Sequence, residues 1–318
     1  MMMACELATY FLLVMRSRFK YIVLSMLVSS FCAYSRALDV AVVKTRSLPT
    51  VDRLLSGFQS ACQAEHNITV YDMKGSAKQG QKILAQIEQR AAKNIPQTVL
   101  ALGLPAAKLI DQSSLSADLF FAMINNPYSK SGITKNIPGF TQTLPANKLL
   151  ERVSMALPGV NKVAIIHSKE VSSAKIEGFT SAANDLGLVL NSYFITSMKD
   201  LPDSLMNVIK ENDALLLIPD RNVINQHSIE FLVNTAITET FPIIGYNEHL
   251  VKAGLMVSIS PDYAELGKTA GDLICNQEAW GGGIRQPNKA AITINVQAVK
   301  IIKPELSAPL QGIADHVY

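Results

Sequence analysis

The chain has 318 residues, 48% of them hydrophobic and 17% charged. That is enough apolar material for a core of two ordinary domains and too much for a disordered chain. The formal net charge is +3 with both signs mixed along the sequence, so there is no basic stripe of the kind that follows nucleic-acid phosphates.

Residues 16–20 read Arg-Ser-Arg-Phe-Lys and precede an apolar stretch from Tyr21 to Tyr34, after which Ser35 and Ala37 offer small residues at the −3 and −1 cleavage positions. This is the order of a secretory signal peptide. It predicts secretion to the periplasm through a cleaved leader, with residues 1–37 removed and a mature start at Leu38. The stretch falls short of the ~20 apolar residues a membrane span needs. The residues before Met15 have no part in such a signal, so translation is expected to begin at Met15. Cys32 does not read as a lipid anchor, because Phe31 stands where lipidation needs a small residue.

After the leader, strands and helices alternate. Residues 38–44 (LDVAVVK) predict a buried strand, and Pro49 to Ala64 a helix with Val51, Leu54, Leu55 and Phe58 on one face. Strands follow at 68–73, 97–102 and 118–124, with helices from Gln79 to Ala92 and Pro105 to Asp111. This spacing predicts a parallel sheet covered on both faces. Asn125 to Pro145 holds Gly132, Pro138, Gly139 and Pro145 without helical periodicity and reads as a loop crossing to a second series. That series has strands at 161–167, 188–194, 213–218 and 241–246, with helices over 171–186, 201–211 and 225–238. Gly254 to Ser260 is expected to return the chain to the first series, ahead of a helix from Pro261 to Cys275. Residues 290–296 then lead back to the second.

Motifs for chemistry are sparse. Gly75-Ser-Ala-Lys-Gln-Gly80 is followed by Gln81-Lys82 where a phosphate loop needs Lys-Ser/Thr, and neither a dinucleotide fingerprint nor a nucleophile elbow occurs. The five histidines show no i,i+4 pairing. The chain therefore reads as a non-enzyme with no cofactor, no metal and no nucleic-acid partner. Cys62 and Cys275 remain after cleavage, each near the end of a predicted helix. In an oxidising compartment they either pair or stay apart as small buried hydrophobes, the second being the simpler reading.

The tract Phe241 to Lys268 carries Gly254, Asp262, Tyr263, Glu265, Leu266, Gly267 and Lys268 in a fixed pattern. It is preceded in order by Gly103-Leu104-Pro105-Ala106-Ala107, Asn126-Pro127, Leu157-Pro158-Gly159-Val160 and Pro219-Asp220. This series resembles the ABC transporter substrate-binding proteins of the tryptophan/tyrosine-binding group. The resemblance implies an α/β protein of two Rossmann-like lobes with parallel sheets joined by three crossovers, the type I periplasmic-binding-protein fold. Residues 38–142 and 260–288 would form the N-terminal lobe, and 143–259 and 289–318 the C-terminal lobe. It also implies a monomer that closes by hinge motion on a small molecule, amino-acid-like or otherwise, and delivers it to an inner-membrane ABC permease. The alternative is a periplasmic sensing subunit that hands its closed form to a membrane receptor.

Ligands of open parallel sheets gather beyond the carboxyl ends of the strands. That rule selects Thr45, Arg46, Ser47 and Leu48, Gly103 and Leu104, and Asn125, Asn126, Pro127 and Tyr128 from the first series. From the second it selects His167, Ser172, Ser173, Asp220, Arg221, Asn222, Tyr246 and Asn247. Amino-acid binders of the family carry a histidine, a Gly-Thr-Pro, an acidic residue and an Asp-Asn pair where this chain has Leu48, Leu104, Asn126 and Asp220-Arg221. The comparison implies a more apolar pocket. It casts Asp220 and Arg221 as anchors for the ligand's polar end, with Leu48 and Leu104 over its body.

Overall fold

The computed structural model describes residues 37–62, 66–93, 96–125, 132–276 and 282–318. The leader up to residue 36 and the candidates Asn126, Pro127 and Tyr128 lie outside the described residues. Asp39–Tyr318 forms one unit, which is the subject from here on.

The first half runs β1 (Asp39–Lys44), α1 (Pro49–Ala61), β2 (Asn67–Asp72), α2 (Ala77–Ala91), β3 (Thr98–Leu102), α3 (Leu104–Asp111), β4 (Asp118–Ile124) and β5 (Gly139–Thr141). The second runs α4 (Ala146–Ala156), β6 (Lys162–His167), α5 (Ser173–Asp185), β7 (Val189–Phe194), α6 (Leu201–Glu211), β8 (Ala214–Leu216), α7 (Gln226–Thr238), β9 (Ile243–Gly245), α8 (Glu248–Lys252) and β10 (Val257–Pro261). The chain closes with α9 (Tyr263–Cys275), β11 (Ile284–Arg285), β12 (Ala290–Ile294), α10 (Val296–Ile302), α11 (Ser307–Ile313) and β13 (His316–Val317).

Two sheets result, ordered β11-β5-β4-β3-β1-β2 and β13-β12-β10-β9-β8-β6-β7. Every described pairing is parallel except β10 with β12. β3 is buried along its whole length and β1 along its middle four residues. Helices cover both faces, which is why these strands read as unbroken apolar runs. The fold is the expected α/β arrangement with two mostly parallel sheets.

Four expectations need correction. The stretch from Asn125 to Pro145 contains β5, which pairs with β4 and β11. A three-residue strand leaves no period to detect. Gly254 to Ser260 does not leave the second sheet, since Val257–Pro261 pairs with β9 and β12. The following helix starts at Tyr263 with Asp262 as its cap, because Pro261 is still paired in the strand. The thiols do not stay apart: Cys62 and Cys275 form a disulfide with Cα atoms 5.3 Å apart.

That disulfide closes one end of a tight helix pair. α1 and α9 approach so closely that a Cβ on Gly267 would stand 1.9 Å from the Leu54 carbonyl oxygen, and one on Gly57 1.9 Å from that of Ala264. Beside them, Arg53 of α1 pairs with the buried Glu248 of α8, whose other oxygen accepts from the Tyr318 hydroxyl at 3.2 Å. The covalent bond and the backbone-on-backbone contact thus join α1 to α9, and the ion pair joins α1 to α8, which follows β9 of the second sheet.

Candidate functional site

Strand order reverses between β1 and β3 in one sheet and between β6 and β8 in the other. Crevices open at such switch points, beyond the carboxyl ends of the strands. At the first, Thr45 Oγ1 donates to the Leu102 carbonyl at 3.0 Å and accepts from the Ala106 N–H at 3.3 Å, stitching β1 to the start of α3. Gly103 is required there: its φ is +90°, and a Cβ would meet Thr45 Oγ1 at 2.9 Å. Ser47 is exposed and donates to Asp72 at 2.9 Å. Leu48 caps α1 with 39% of its surface exposed, and Leu104 packs partly buried against the core.

At the second switch point Asp220 is 5% exposed and is engaged both by its own loop and by the loop after β6. Its carboxylate accepts from the Ser168 N–H at 2.7 Å, the Ser168 hydroxyl at 3.1 Å and the Asn222 N–H at 2.9 Å. A buried carboxylate needs such partners, and here the loops after β6 and β8 supply them. Arg221 is exposed. Ser172 accepts from the Lys175 N–H at 3.3 Å as the cap of α5, and Ser173 is exposed. The His167 ring stands edge-on to Phe194, centroids 5.7 Å apart.

Beyond the carboxyl ends of β4, β5, β8 and β9 lies a cavity of about 120 Å³. Asn125, Gln142, Thr143, Leu144 and Leu149 line it from the first crossover, and Lys175 and Phe179 from α5. Leu217, Ile218, Pro219, Tyr246 and Asn247 close it from the ends of β8 and β9, Ile259 and Pro261 from β10, and Tyr263 from the start of α9. A cavity of ~150 Å³ admits benzene, so this one suits a group of that order. Asn125 reaches it from a bulge. The β4–β5 register shifts between Ala122 and Ile124, and Met123 sits at φ +64°. Bulges of this kind re-aim side chains near functional sites, and the left-handed Met123 stores of order 1–3 kcal/mol of strain.

Of the sequence-derived candidates among the described residues, Asn125, Tyr246 and Asn247 line the cavity. Ser47, Leu48, Gly103, Leu104, His167, Ser172, Ser173, Asp220 and Arg221 do not. The sequence reading missed Lys175 and Phe179. The rule of strand ends stops at the cap Ser172, whereas these side chains reach the cavity from further along α5. It missed Gln142 and Thr143 because they follow the unrecognised β5.

Lys175 is the charged residue in the lining. Burial pulls its pKa below the usual lysine value, and the neighbouring Asp220 carboxylate pulls it back up. Among the described residues its Nζ has no hydrogen-bond or ion-pair partner. Burial raises the Tyr246 phenol, and Tyr263 is pushed up to about 12 by burial and by Glu248, against the lowering effect of Arg53. Both phenols therefore stay protonated and able to donate. The described residues contain no group of three or more His, Cys, Asp or Glu side chains able to hold a metal.

Comparison with known proteins agrees with this architecture. A family described as ABC transporter substrate binding protein matches residues 39–277. The tyrosine-binding protein of Clostridioides difficile is 20% identical over 237 residues, 71% of this chain and 68% of that one. A ligand-free, open structure of a substrate-binding protein with adhesive properties from Clostridium difficile superposes with a TM-score of 0.67 at 15% identity, over 88% of this chain and 99% of its own. A Streptococcus domain in complex with L-Trp gives 0.51 at 18% identity, over 89% and 100%. On the extent of the family match, three quarters of the chain from β1 to α9, this protein belongs to the ABC transporter substrate-binding protein family.

Proposed function

We propose that this protein captures a small organic solute at the base of a cleft between two lobes and delivers it from the periplasm to an ABC importer. The lobes on this reading are 38–142 with 260–288, and 143–259 with 289–318, and the working protein is a monomer freed of its leader at Leu38. The observation that carries the reading is the cavity, whose wall draws on both sheets' strand ends and on the crossovers. A site shared in this way is closed by hinge motion, because the two sets of side chains approach only when the lobes do. The tyrosine-binding relative and the L-Trp-bound domain support a solute of about amino-acid size.

Ser47, Leu48, Gly103 and Leu104 on one rim, and His167, Ser172, Ser173 and Arg221 on the other, become contacts only in the closed form on this reading. Asp220 shapes its loop and backs Lys175. Denaturing extraction of the natively purified protein, followed by mass spectrometry, tests solute capture. A retained organic molecule that shrinks the radius of gyration when added back to the stripped protein is the expected result. A protein that retains nothing and whose scattering no candidate solute alters would refute it. Co-purification with an inner-membrane permease in detergent tests delivery, and failure to associate in the ligand-loaded form would count against an importer.

A further inference from the structure

We infer that the cavity selects an organic anion, a carboxylate on a small apolar body without an α-ammonium group, and that Lys175 is the residue that binds the carboxylate. The inference rests on the solute-binding reading and narrows its substrate class.

The charge inventory of the wall carries it. Lys175 shares the wall with the neutral polar residues Asn125, Gln142, Thr143, Tyr246 and Asn247, and the rest is mostly apolar, with Leu144, Leu149, Phe179, Leu217, Ile218 and Ile259. Neither the Lys175 ammonium nor the Tyr246 hydroxyl has a hydrogen-bond partner among the described residues. Both can donate, and the Lys175 ammonium can only donate, so the wall offers an anion a charged donor and a neutral one. α5 adds to this, for Lys175 lies in its first turn, where the helix dipole favours negative charge.

A ligand ammonium finds neutral amide and hydroxyl oxygens in the wall but no free carboxylate to balance its charge. Three carboxylates adjoin lining residues in sequence, and each is already committed. Asp220, beside Pro219, is held by Ser168 and Asn222. Asp262, between Pro261 and Tyr263, caps α9 through the Glu265 N–H at 3.1 Å and pairs with Lys289 at 3.1 Å. Glu248, beside Asn247, pairs with Arg53 and Tyr318. The segment 126–131, which continues from Asn125, has no acidic residue in its sequence. A zwitterion would thus bring an unpaired ammonium next to the Lys175 charge, and burying an uncompensated charge is costly. An anion gains a charge-assisted bond instead.

The test uses two matched series with the purified chain: 3-phenylpropionate, 3-phenylpropanamide, phenethylamine and L-phenylalanine, and 4-methylpentanoate, 4-methylpentanamide, isopentylamine and L-leucine. Affinities are measured by calorimetry on the natural sequence, Lys175→Met and Lys175→Arg. The acid of at least one series is expected to bind tightest. Lys175→Met should weaken that acid by roughly 10- to 100-fold, the worth of one hydrogen bond to a charged group, and leave the amide unchanged. Lys175→Arg should recover most of the loss. An amine, amide or amino acid binding as tightly as its acid, or an acid indifferent to Lys175→Met, would overturn the inference and leave solute binding standing. Binding of no member would also overturn it, and the extracted molecule would then judge solute binding separately.

Discussion

The contact between α1 and α9 permits a sharp prediction, because one glycine in it has no room for a single added carbon. In Gly267→Ala the new Cβ would lie 1.9 Å from the Leu54 carbonyl oxygen and 2.9 Å from the Phe58 backbone nitrogen, where real Cβ contacts stay above 3.0 Å. The neighbours are backbone, so no rotamer change relieves the clash and the helices must part. The disulfide between Cys62 and Cys275 resists that movement at one end. Overpacking of this kind costs about 3 kcal/mol, offset by about 1 kcal/mol from replacing a helical glycine. A net loss of about 2 kcal/mol should lower the urea midpoint by just under ~1 M with the slope unchanged. Gly178, in α5, is the internal control, since a Cβ there meets nothing within 4 Å. Gly178→Ala should gain up to about 1 kcal/mol from helix propensity alone. Equal midpoints for the two variants would refute the argument, because it makes their signs opposite for one chemical change.

Other expectations follow from the same geometry. Thiol titration of the denatured, unreduced protein should find Cys62 and Cys275 blocked, and replacing both by Ala should cost up to about 5 kcal/mol for a crosslink spanning 213 residues; two free thiols would exclude it. Asp220→Ala strips three hydrogen bonds from a buried turn and should lose about 2–4 kcal/mol of stability to urea, whereas unchanged stability would mean the turn does not need its carboxylate. Burial would raise the pKa of Asp111, but the backbone N–H groups of Lys135 and Thr134 and the Thr134 hydroxyl outweigh it and hold the carboxyl low. A depressed folded pKa means that this stabilisation is present above pH ~4 and is lost as the pH falls through the folded value. Asp111→Asn should therefore be less stable at neutral pH and show a flatter acid limb in thermal melts, and a parallel limb would contradict the assignment.

Local rules made the fold legible. The βα alternation follows from residues a few positions apart, since a strand buried on both faces must be continuously apolar and a covering helix must keep one apolar stripe. Runs such as Val40 to Val43 and stripes such as Val51, Leu54 and Phe58 satisfy those conditions without reference to the rest of the chain. Asp262 and Gly267 were visible as members of a motif, whereas their roles, the cap of α9 and the close approach to α1, were not. The site was legible only where it coincides with a strand end, at Asn125, Tyr246 and Asn247. Tertiary structure decided the rest. Asp220 looks free in sequence and is spent on Ser168, 52 positions away. Cys62 finds Cys275 across 213 positions. Lys175 reaches the cavity from α5, which packs beside α4 and β7, and three-residue β5 exists because β4 and β11 flank it. Periodicity reports which face of an element is buried. It carries no record of which distant group will share that face, and charge pairing, crosslinking and the shape of the cavity all depend on that.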